Sequence, residues 1–169
     1  HMSARRQRQM CIRDRAISGG AYPVSAVLAD DPVMGVIHPG QHASTFGGNP
    51  VAGVVATEAL AVVADEKLAQ NARTLGARFR EAMQELVDES PLLKSVRGRG
   101  LLNAVLINDT PDSSTAWDLC VALKDNGLLA KPTHGNIIRF APPLVMTAEQ
   151  LEACIDIIAN TVRAFKPHV

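Results

Sequence analysis

The chain lacks the features that mark membrane-spanning, secreted and nucleic-acid-binding proteins. Its 17 Lys and Arg residues balance 17 Asp and Glu residues, so the molecule has no net charge to attract nucleic acid or an anionic membrane. No stretch approaches the run of about 18 apolar residues that a membrane span needs, and the first residues show no secretory signal. We therefore expect a cytoplasmic protein whose partners include neither nucleic acid nor a membrane.

Cysteine is also scarce, with only three residues, at Cys11, Cys120 and Cys154. Their number is odd, their spacing is not that of metal ligands, and the last two fall on apolar faces of predicted helices, so we expect no disulfide framework. His38 and His42 have the spacing of a helical metal pair, but the Pro-Gly between them excludes a helix there. No metal site is predicted.

Residues 1–15 differ in composition from the rest of the chain. They contain five arginines between Arg5 and Arg15 and have almost no apolar periodicity. We interpret them as a basic leader, vector-derived or foreign, rather than as an arm for nucleic acid or anionic lipid. The remainder, in a chain of 169 residues that is 47% hydrophobic, suffices for one sizeable core and an appendage.

Residues 16–64 are predicted to be a remnant of a larger α/β domain. The run YPVSAVL, from Tyr22 to Leu28, predicts a short strand, and a loop rich in Gly, Pro and small hydroxyl residues follows from His38 to Pro50. Asn49 as N-cap and Pro50 at the first helical position begin a helix that is apolar on most sides and should be largely buried. One strand and one helix cannot cover their own apolar faces, so further strands are needed.

Residues 65–91 form a predicted linking helix. Between Glu66 and Asp88, apolar residues recur at spacings of three and four, while the opposite face is charged. The resulting apolar stripe consists of Leu68, Ala72, Leu75, Phe79, Met83 and Leu86.

Residues 92–169 are predicted to form a small α/β (α+β) domain in the order β-β-α-β-α, a mostly antiparallel sheet with helices covering one face. The strands are Leu92 to Val96 and Leu101 to Ile107, around a turn at Gly98-Arg99-Gly100, and Ile137 to Phe140. The helices are one from about Ala116 to Leu123, ended by Asn126-Gly127, and a closing helix behind a capping box of Thr147 and Gln150.

Four strings are specific enough to indicate a family: AISGGAYPVSAVL from Ala16, HASTFGGNPVAG from His42, RGRGLLNAV from Arg97 and DNGLLAKPTHGNIIRFAPPL from Asp125. With them the chain resembles the class III pyridoxal-phosphate aminotransferases of the ornithine aminotransferase type. The resemblance implies a remnant of the large cofactor-binding domain followed by the C-terminal small domain of a fold-type I aminotransferase. It also implies pyridoxal 5'-phosphate as cofactor, ornithine or a similar amino donor with a 2-oxo acid, and a homodimer or higher homo-oligomer.

Arg15 stands where the resemblance places the lysine that forms a Schiff base with the cofactor. That role needs a neutral amine, which attacks the aldehyde and then carries a proton. A guanidinium stays protonated at accessible pH and can do neither. We therefore assign no certain catalytic residue to this chain and expect no conventional transamination by it alone.

Four residues are assigned to binding by the same resemblance. Ser44 and Thr45 bind the cofactor phosphate of the neighbouring subunit, since hydroxyls and nearby N–H groups suit an anion. Arg139 binds the substrate α-carboxylate through its guanidinium fork, and Tyr22 lines the substrate pocket. The alternatives are an ordinary glycine-rich turn for the loop, a surface ion pair for Arg139 and core packing for Tyr22.

Other functions stay open. Lys131 is a conceivable substitute for the Schiff-base lysine, although it falls in a loop string shared with relatives that use a different lysine. Ser18 or Ser44 beside a histidine would suggest a hydrolase, but no G-x-S-x-G elbow is present. A non-catalytic fragment would instead self-associate through exposed apolar surface.

Overall fold

The computed structural model describes residues 17–26, 28–43 and 45–166. The chain divides into two compact units, unit 1 (residues 1–66) and unit 2 (residues 67–169). The fold is mixed α/β with a small antiparallel sheet, as the sequence predicted. Among the described residues, no helix combines the length and the apolar character needed to cross a membrane.

The described residues of unit 1 form two helices, α1 (Asp31–Met34) and α2 (Pro50–Asp65). The start of α2 is the predicted one. The side-chain oxygen of Asn49 accepts a hydrogen bond of 2.9 Å from the N–H of Ala52, and Pro50 occupies the first turn, where its missing N–H costs nothing.

Two predictions for unit 1 are wrong. No described residue between Tyr22 and Leu28 lies in a strand, because a strand needs a hydrogen-bonded neighbour and no described segment of the unit supplies one. Nor is α2 largely buried: Ala52 is buried, but Val54 is 71% exposed and Leu60 is 57% exposed. The predicted apolar sides are present, and they face solvent.

Unit 2 is built around a four-stranded sheet in the order β1-β2-β4-β3, with every neighbouring pair antiparallel. Three helices flank the strands along the described part of the unit. The elements are α3 (Leu68–Glu89), β1 (Leu93–Arg99), β2 (Leu102–Ile107), α4 (Thr115–Asp125), β3 (Lys131–Thr133), β4 (Ile137–Phe140) and α5 (Ala148–Ala164).

One face of the sheet shares a core with the helices. The apolar stripe predicted for α3 is buried throughout its length from Leu68 to Leu86. Along β2, Val105 and Ile107 are buried while Leu102 is 59% exposed, which is the alternation of a strand covered on one side. We call the side opposite the helices the outer face. By register it comprises Ser95, Arg97, Arg99, Leu102, Ala104, Leu106, Lys131, Thr133, Ile137 and Arg139.

Two details of the sheet differ from the prediction. Lys131 was placed in a loop but begins β3, which was missed because it has only three residues and contains Pro132. Proline is tolerated there because β3 is an edge strand. In addition, β1 continues through Gly98 and Arg99, so the turn contains fewer residues than predicted. It consists of Gly100, with φ +56°, and Leu101.

The helix ends in unit 2 follow the prediction. Thr147 Oγ1 accepts a hydrogen bond of 3.2 Å from the N–H of Gln150, whose side-chain oxygen accepts one of 3.0 Å from the N–H of Thr147. This reciprocal capping box begins α5. Helix α4 ends before Asn126 and Gly127, and Gly127 has φ +92°, a conformation that favours glycine.

Candidate functional site

A tight turn organises the described start of unit 1. The hydroxyl of Ser18, a residue only 2% exposed, donates to the carbonyl oxygen of Tyr22 and accepts from the Tyr22 N–H at 3.2 Å. Gly19 and Gly20 have φ +63° and +86°, which suits glycine alone. Because the Ser18 hydroxyl is bonded to backbone in both directions, it does not fit the role of a hydrolase nucleophile.

Thr45 lies in an exposed loop that leads into α2. The loop is closed by Asn49, whose amide donates to the carbonyl oxygen of Phe46 at 2.9 Å, and Gly48 has φ +74°. The Thr45 side chain is exposed, and no other described residue forms a hydrogen bond with its hydroxyl. Ser44, the other residue predicted to bind phosphate, lies outside the described residues.

Arg139 is exposed on β4, between Ile138, which is 1% exposed, and Phe140, which is 9% exposed. The alternation of a strand therefore turns its side chain to the outer face. In the register of the sheet, Arg139 is the partner of Ala104 on β2 and of Lys131 on β3. The guanidinium is placed where a carboxylate can approach it, and its planar donors match both carboxylate oxygens.

A hydrogen-bond network behind the sheet fixes the end of β4. Asn103, the register partner of Phe140, accepts from Arg80 Nη1 at 2.9 Å and donates to the carbonyl oxygen of Gly100 at 3.1 Å. Arg80 Nη1 also donates to the same Gly100 oxygen at 3.0 Å. The rings of Phe140 and Phe79 pack with centroids 5.4 Å apart. These contacts hold the strand that carries Arg139 against α3.

A second network, missed from the sequence, holds the other end of β4. The side-chain amide of Asn136 donates to the carbonyl oxygen of Asp109 at 2.8 Å, and the N–H of Ile107 donates to the Asn136 carbonyl at 2.8 Å. The Asp109 carboxylate accepts from the Thr115 hydroxyl at 2.5 Å and from the Thr110 N–H at 2.7 Å, and these bonds lower the pKa of Asp109. The only feature of the sequence that could have indicated this network is Asp109-Thr110, a pair typical of a turn.

An apolar pocket of about 310 Å³, also unpredicted, opens within unit 2. Residues of α3, α5 and the segment after β4 line it, with the half-buried Cys154 in its wall. Burial raises the pKa of the Cys154 thiol, so the group is a weak nucleophile at neutral pH. The main lining residues are Phe79, Leu128, Phe140, Pro142, Cys154 and Ile158.

Of the residues predicted to form a site, the sheet brings Arg139 next to Lys131. Tyr22, which is half-buried, and Thr45 belong to unit 1. The pocket-lining role of Tyr22 stays a prediction, as does the assignment of Arg15, which lies outside the described residues together with the rest of the basic leader. The described residues contain no group of three His, Cys, Asp or Glu side chains placed to hold a metal ion.

Comparison with curated proteins shows relatives over most of the chain. The ornithine aminotransferase of Schizosaccharomyces pombe is 52% identical over 152 residues, which are 89% of this chain and 34% of that protein. The mitochondrial ornithine aminotransferase of Rattus norvegicus is 50% identical over 151 residues, again 89% of this chain and 34% of that protein. The chain thus spans about a third of the length of these curated relatives.

Solved structures agree in fold. An acetylornithine aminotransferase from Elizabethkingia anophelis superimposes with a TM-score of 0.84 at 65% identity, over 89% of this chain and 39% of that chain. The ornithine delta-aminotransferase of Plasmodium falciparum gives 0.81 at 46% identity, over 88% and 38%. The family model described as aminotransferase class-III matches residues 7–162, which include both the Thr45 loop and β4. This chain therefore belongs to the class-III aminotransferases.

Proposed function

We propose that the chain supplies the small domain and part of the cofactor-binding domain of a pyridoxal-phosphate aminotransferase of the ornithine type. Such an enzyme moves an amino group from ornithine or a similar amine to a 2-oxo acid, and we place it in the cytoplasm. The observation that carries the proposal is Arg139, an exposed guanidinium fixed on β4 between two buried residues, in a chain of this family.

The described residues fit the phosphate of pyridoxal 5'-phosphate better than its aldehyde. The Thr45 hydroxyl is exposed, has no hydrogen-bond partner among the described residues, and lies in a glycine-rich loop whose N–H groups suit an anion. The aldehyde needs a neutral amine, and burial is what makes a lysine neutral. All lysines in the described part of the chain are exposed: Lys67, Lys94, Lys124, Lys131 and Lys166.

The roles of the chain's own residues follow from that fit. When bound, the cofactor supplies the electron sink that amino-group transfer requires. Thr45 binds the phosphate and Arg139 binds the substrate carboxylate, so both position reactants and neither moves a proton. Arg15 stands at the expected amine position and cannot act as a base. We therefore expect this chain alone to bind cofactor and carboxylate without turnover.

The amino donor is proposed only as a class. Ornithine and acetylornithine, which appear in the names of the relatives, share the α-carboxylate that Arg139 would bind. They differ in the charge of the α-amino group, which is cationic in ornithine and an uncharged amide in acetylornithine. The enzyme therefore selects its donor through the residue that contacts the α-nitrogen. The Arg139 contact is common to ornithine and acetylornithine.

Self-association is the second part of the proposal, with a homodimer as the expected state. Along α2, four large apolar residues are exposed, and exposed apolar surface of this kind seeks a partner. Replacing Val54 by Lys should shift the chain towards monomer in sedimentation velocity, and an unchanged distribution would remove α2 from the interface. The exposed fractions are Val51 56%, Val54 71%, Leu60 57% and Val63 36%.

The test of cofactor binding is an absorbance titration of the chain with pyridoxal 5'-phosphate. We expect a saturable change in the wild type and an affinity weakened at least about ten-fold by Thr45→Ala, because a hydrogen bond to a charged group contributes about 1.5–3 kcal/mol. Thr57→Ala is the matched control, because Thr57 is also exposed but its hydroxyl donates to the Gly53 carbonyl within α2. Absence of saturation, or equal weakening by both substitutions, would contradict the proposal.

A further inference from the structure

An Asn-Gly pair at the end of α4 has the composition of a spontaneous deamidation site. Asn126 is the only one of the seven asparagines that is followed by glycine. Asparagine is chemically labile, and glycine has no Cβ, so the backbone nitrogen of Gly127 is open to approach and free to reorient. Both residues are exposed. The pair therefore combines a side-chain amide, a nitrogen that can attack it, and access to water.

Native contacts hold the leaving group of that reaction. The side-chain amide nitrogen of Asn126 donates to the carbonyl oxygen of Ala122 at 3.0 Å and to the hydroxyl oxygen of Thr161 on α5 at 3.1 Å. Thr161 is 4% exposed, and its own hydroxyl donates to the Ile157 carbonyl oxygen at 2.7 Å, which fixes the hydroxyl. The two amide hydrogens are thus engaged, one within α4 and one across the contact between α4 and α5.

The attacking nitrogen is held as well. The N–H of Gly127 donates to the carbonyl oxygen of Lys124 at 3.0 Å, and the N–H of Leu128 donates to the Leu123 carbonyl oxygen at 2.9 Å. These bonds satisfy the last carbonyls of α4, and the φ of Gly127, +92°, belongs to the same helix end. Ring closure needs the Gly127 nitrogen and the Asn126 amide to leave these partners, so the end of α4 must open first.

We propose that Asn126 is a deamidation site protected by the α4–α5 contact, so that its conversion to aspartate or isoaspartate records each opening of this helix end. In the reaction the Gly127 nitrogen loses its proton to solvent and bonds to Asn126 Cγ, the bond from Cγ to the amide nitrogen breaks, and ammonia leaves. Water then opens the cyclic imide at one of its two carbonyls. The net change consumes one water and releases one ammonia.

The product cannot restore the contact. A carboxylate has no hydrogen to donate, so the Ala122 carbonyl and the Thr161 hydroxyl lose their donor. The new negative charge stands at the C-terminal end of α4, where the helix dipole is also negative, and directly after Asp125. Isoaspartate in addition lengthens the backbone by one carbon. Each conversion therefore weakens the end of α4, and the change is irreversible.

The experiment incubates the full chain at mildly alkaline pH in water enriched in heavy oxygen and follows label at residue 126 by peptide mass spectrometry. We expect conversion of the native wild type to be at least about ten-fold slower than in urea, where the hydrogen bonds are absent. Thr161→Val removes the acceptor on α5 and should speed native conversion about two- to ten-fold, the effect of one hydrogen bond. In urea the two chains should convert at the same rate.

Two further variants separate this contact from general stability. Thr161→Ser keeps the hydroxyl and should convert like the wild type. Thr115→Val is the matched control, because it removes another buried hydroxyl, whose partner is Asp109. Circular dichroism establishes that each variant is folded, and the comparison of native with unfolded wild type depends on no variant.

Three results would overturn the inference. Equal acceleration by Thr161→Val and Thr115→Val would show that the α4–α5 contact does not protect Asn126. Native wild type that converts as fast as the chain in urea would show that the fold gives no protection. Absence of label at residue 126 in urea would remove the site itself.

Discussion

The carbonyl oxygen of Gly100 lies 1.8 Å from the point where a Cβ on Gly76 would stand. Helix α3 therefore touches the backbone of the turn between β1 and β2, and a hydrogen atom is all that fits between them. The same carbonyl accepts hydrogen bonds from Arg80 and Asn103. This contact fixes the turn against the helix at one end of the sheet that carries Arg139.

Gly76→Ala should lower the free energy of unfolding by at least about 2 kcal/mol, because backbone rather than a flexible side chain blocks the methyl group. Urea denaturation followed by circular dichroism measures the change. Ala77→Ser, on the exposed side of the same helix, is the control and should change stability by less than about 0.5 kcal/mol. A Gly76→Ala variant as stable as the wild type would show that the turn moves away freely.

Asn103→Ala should cost about 1–3 kcal/mol, because Asn103 is 2% exposed and its removal leaves the Arg80 donor and the Gly100 acceptor with fewer partners. Asn108→Ala makes a useful comparison, since the Asn108 side chain is exposed and donates only to the carbonyl oxygen of Pro91. Its loss should be about 0.5 kcal/mol or less. Thermal unfolding of both variants measures the two losses of stability. Similar losses would contradict a stabilising role for the Asn103 network.

Thr115→Val should destabilise the chain near neutral pH and have less effect in acid. The hydrogen bond from the Thr115 hydroxyl makes the largest contribution to the lowered pKa of Asp109, and the hydrogen bond from the Thr110 N–H makes the next largest. A carboxyl whose pKa is lower in the folded state stabilises the fold above its unfolded pKa of about 3.9, and this stabilisation is lost as the pH falls through the folded pKa. The difference between variant and wild type should shrink below about pH 4.

Thr161→Val provides the pH-independent comparison for that experiment. Thr161 is also buried, and its hydroxyl donates to the carbonyl oxygen of Ile157, a neutral group, at 2.7 Å. Urea midpoints between about pH 3 and 7 should therefore show a constant loss for Thr161→Val. If Thr115→Val also shows a constant loss, the Asp109 carboxylate is not the group that the hydroxyl stabilises.

Alkylation should distinguish the two described cysteines. Burial raises the pKa of Cys120 to about 11, and it raises the pKa of Cys154 as well, but Cys154 is half-buried in the pocket wall. In a Cys11→Ser background, iodoacetamide should modify Cys154 first and Cys120 only after unfolding, as read by peptide mass spectrometry. Faster reaction of Cys120 in the native chain would contradict its position in the core.

The helices of unit 2 could be predicted because each is amphipathic over several turns and carries its own end signals. The stripe from Leu68 to Leu86 and the Thr147 capping box are local properties of the sequence, and both are present as predicted. Strands depend on neighbours instead. The run from Tyr22 to Leu28 has the composition of a strand, but none of its described residues lies in a strand. Lys131–Thr133 has little strand character, yet it pairs with β4.

The candidate site was also predictable only in part. Arg139 was identified from the family-like sequence that surrounds it, and its exposure follows from its position between buried Ile138 and Phe140. Its position beside Lys131 could not be predicted, because the pairing of β3 with β4 was not recognised. The Asp109–Thr115 contact likewise joins the loop after β2 to the start of α4. The hydrophobic periodicity of the sequence does not predict such a contact.

The most direct test of the central claim compares the wild type with Arg15→Lys. Each chain is saturated with pyridoxal 5'-phosphate, reduced with borohydride and weighed intact, and the modified peptide is identified. If the chain holds the cofactor phosphate but lacks the amine, Arg15→Lys gains one reduced cofactor at residue 15 and the wild type gains none. A stable adduct on the wild type, at Lys131 or elsewhere, or no adduct on Arg15→Lys, would contradict the account.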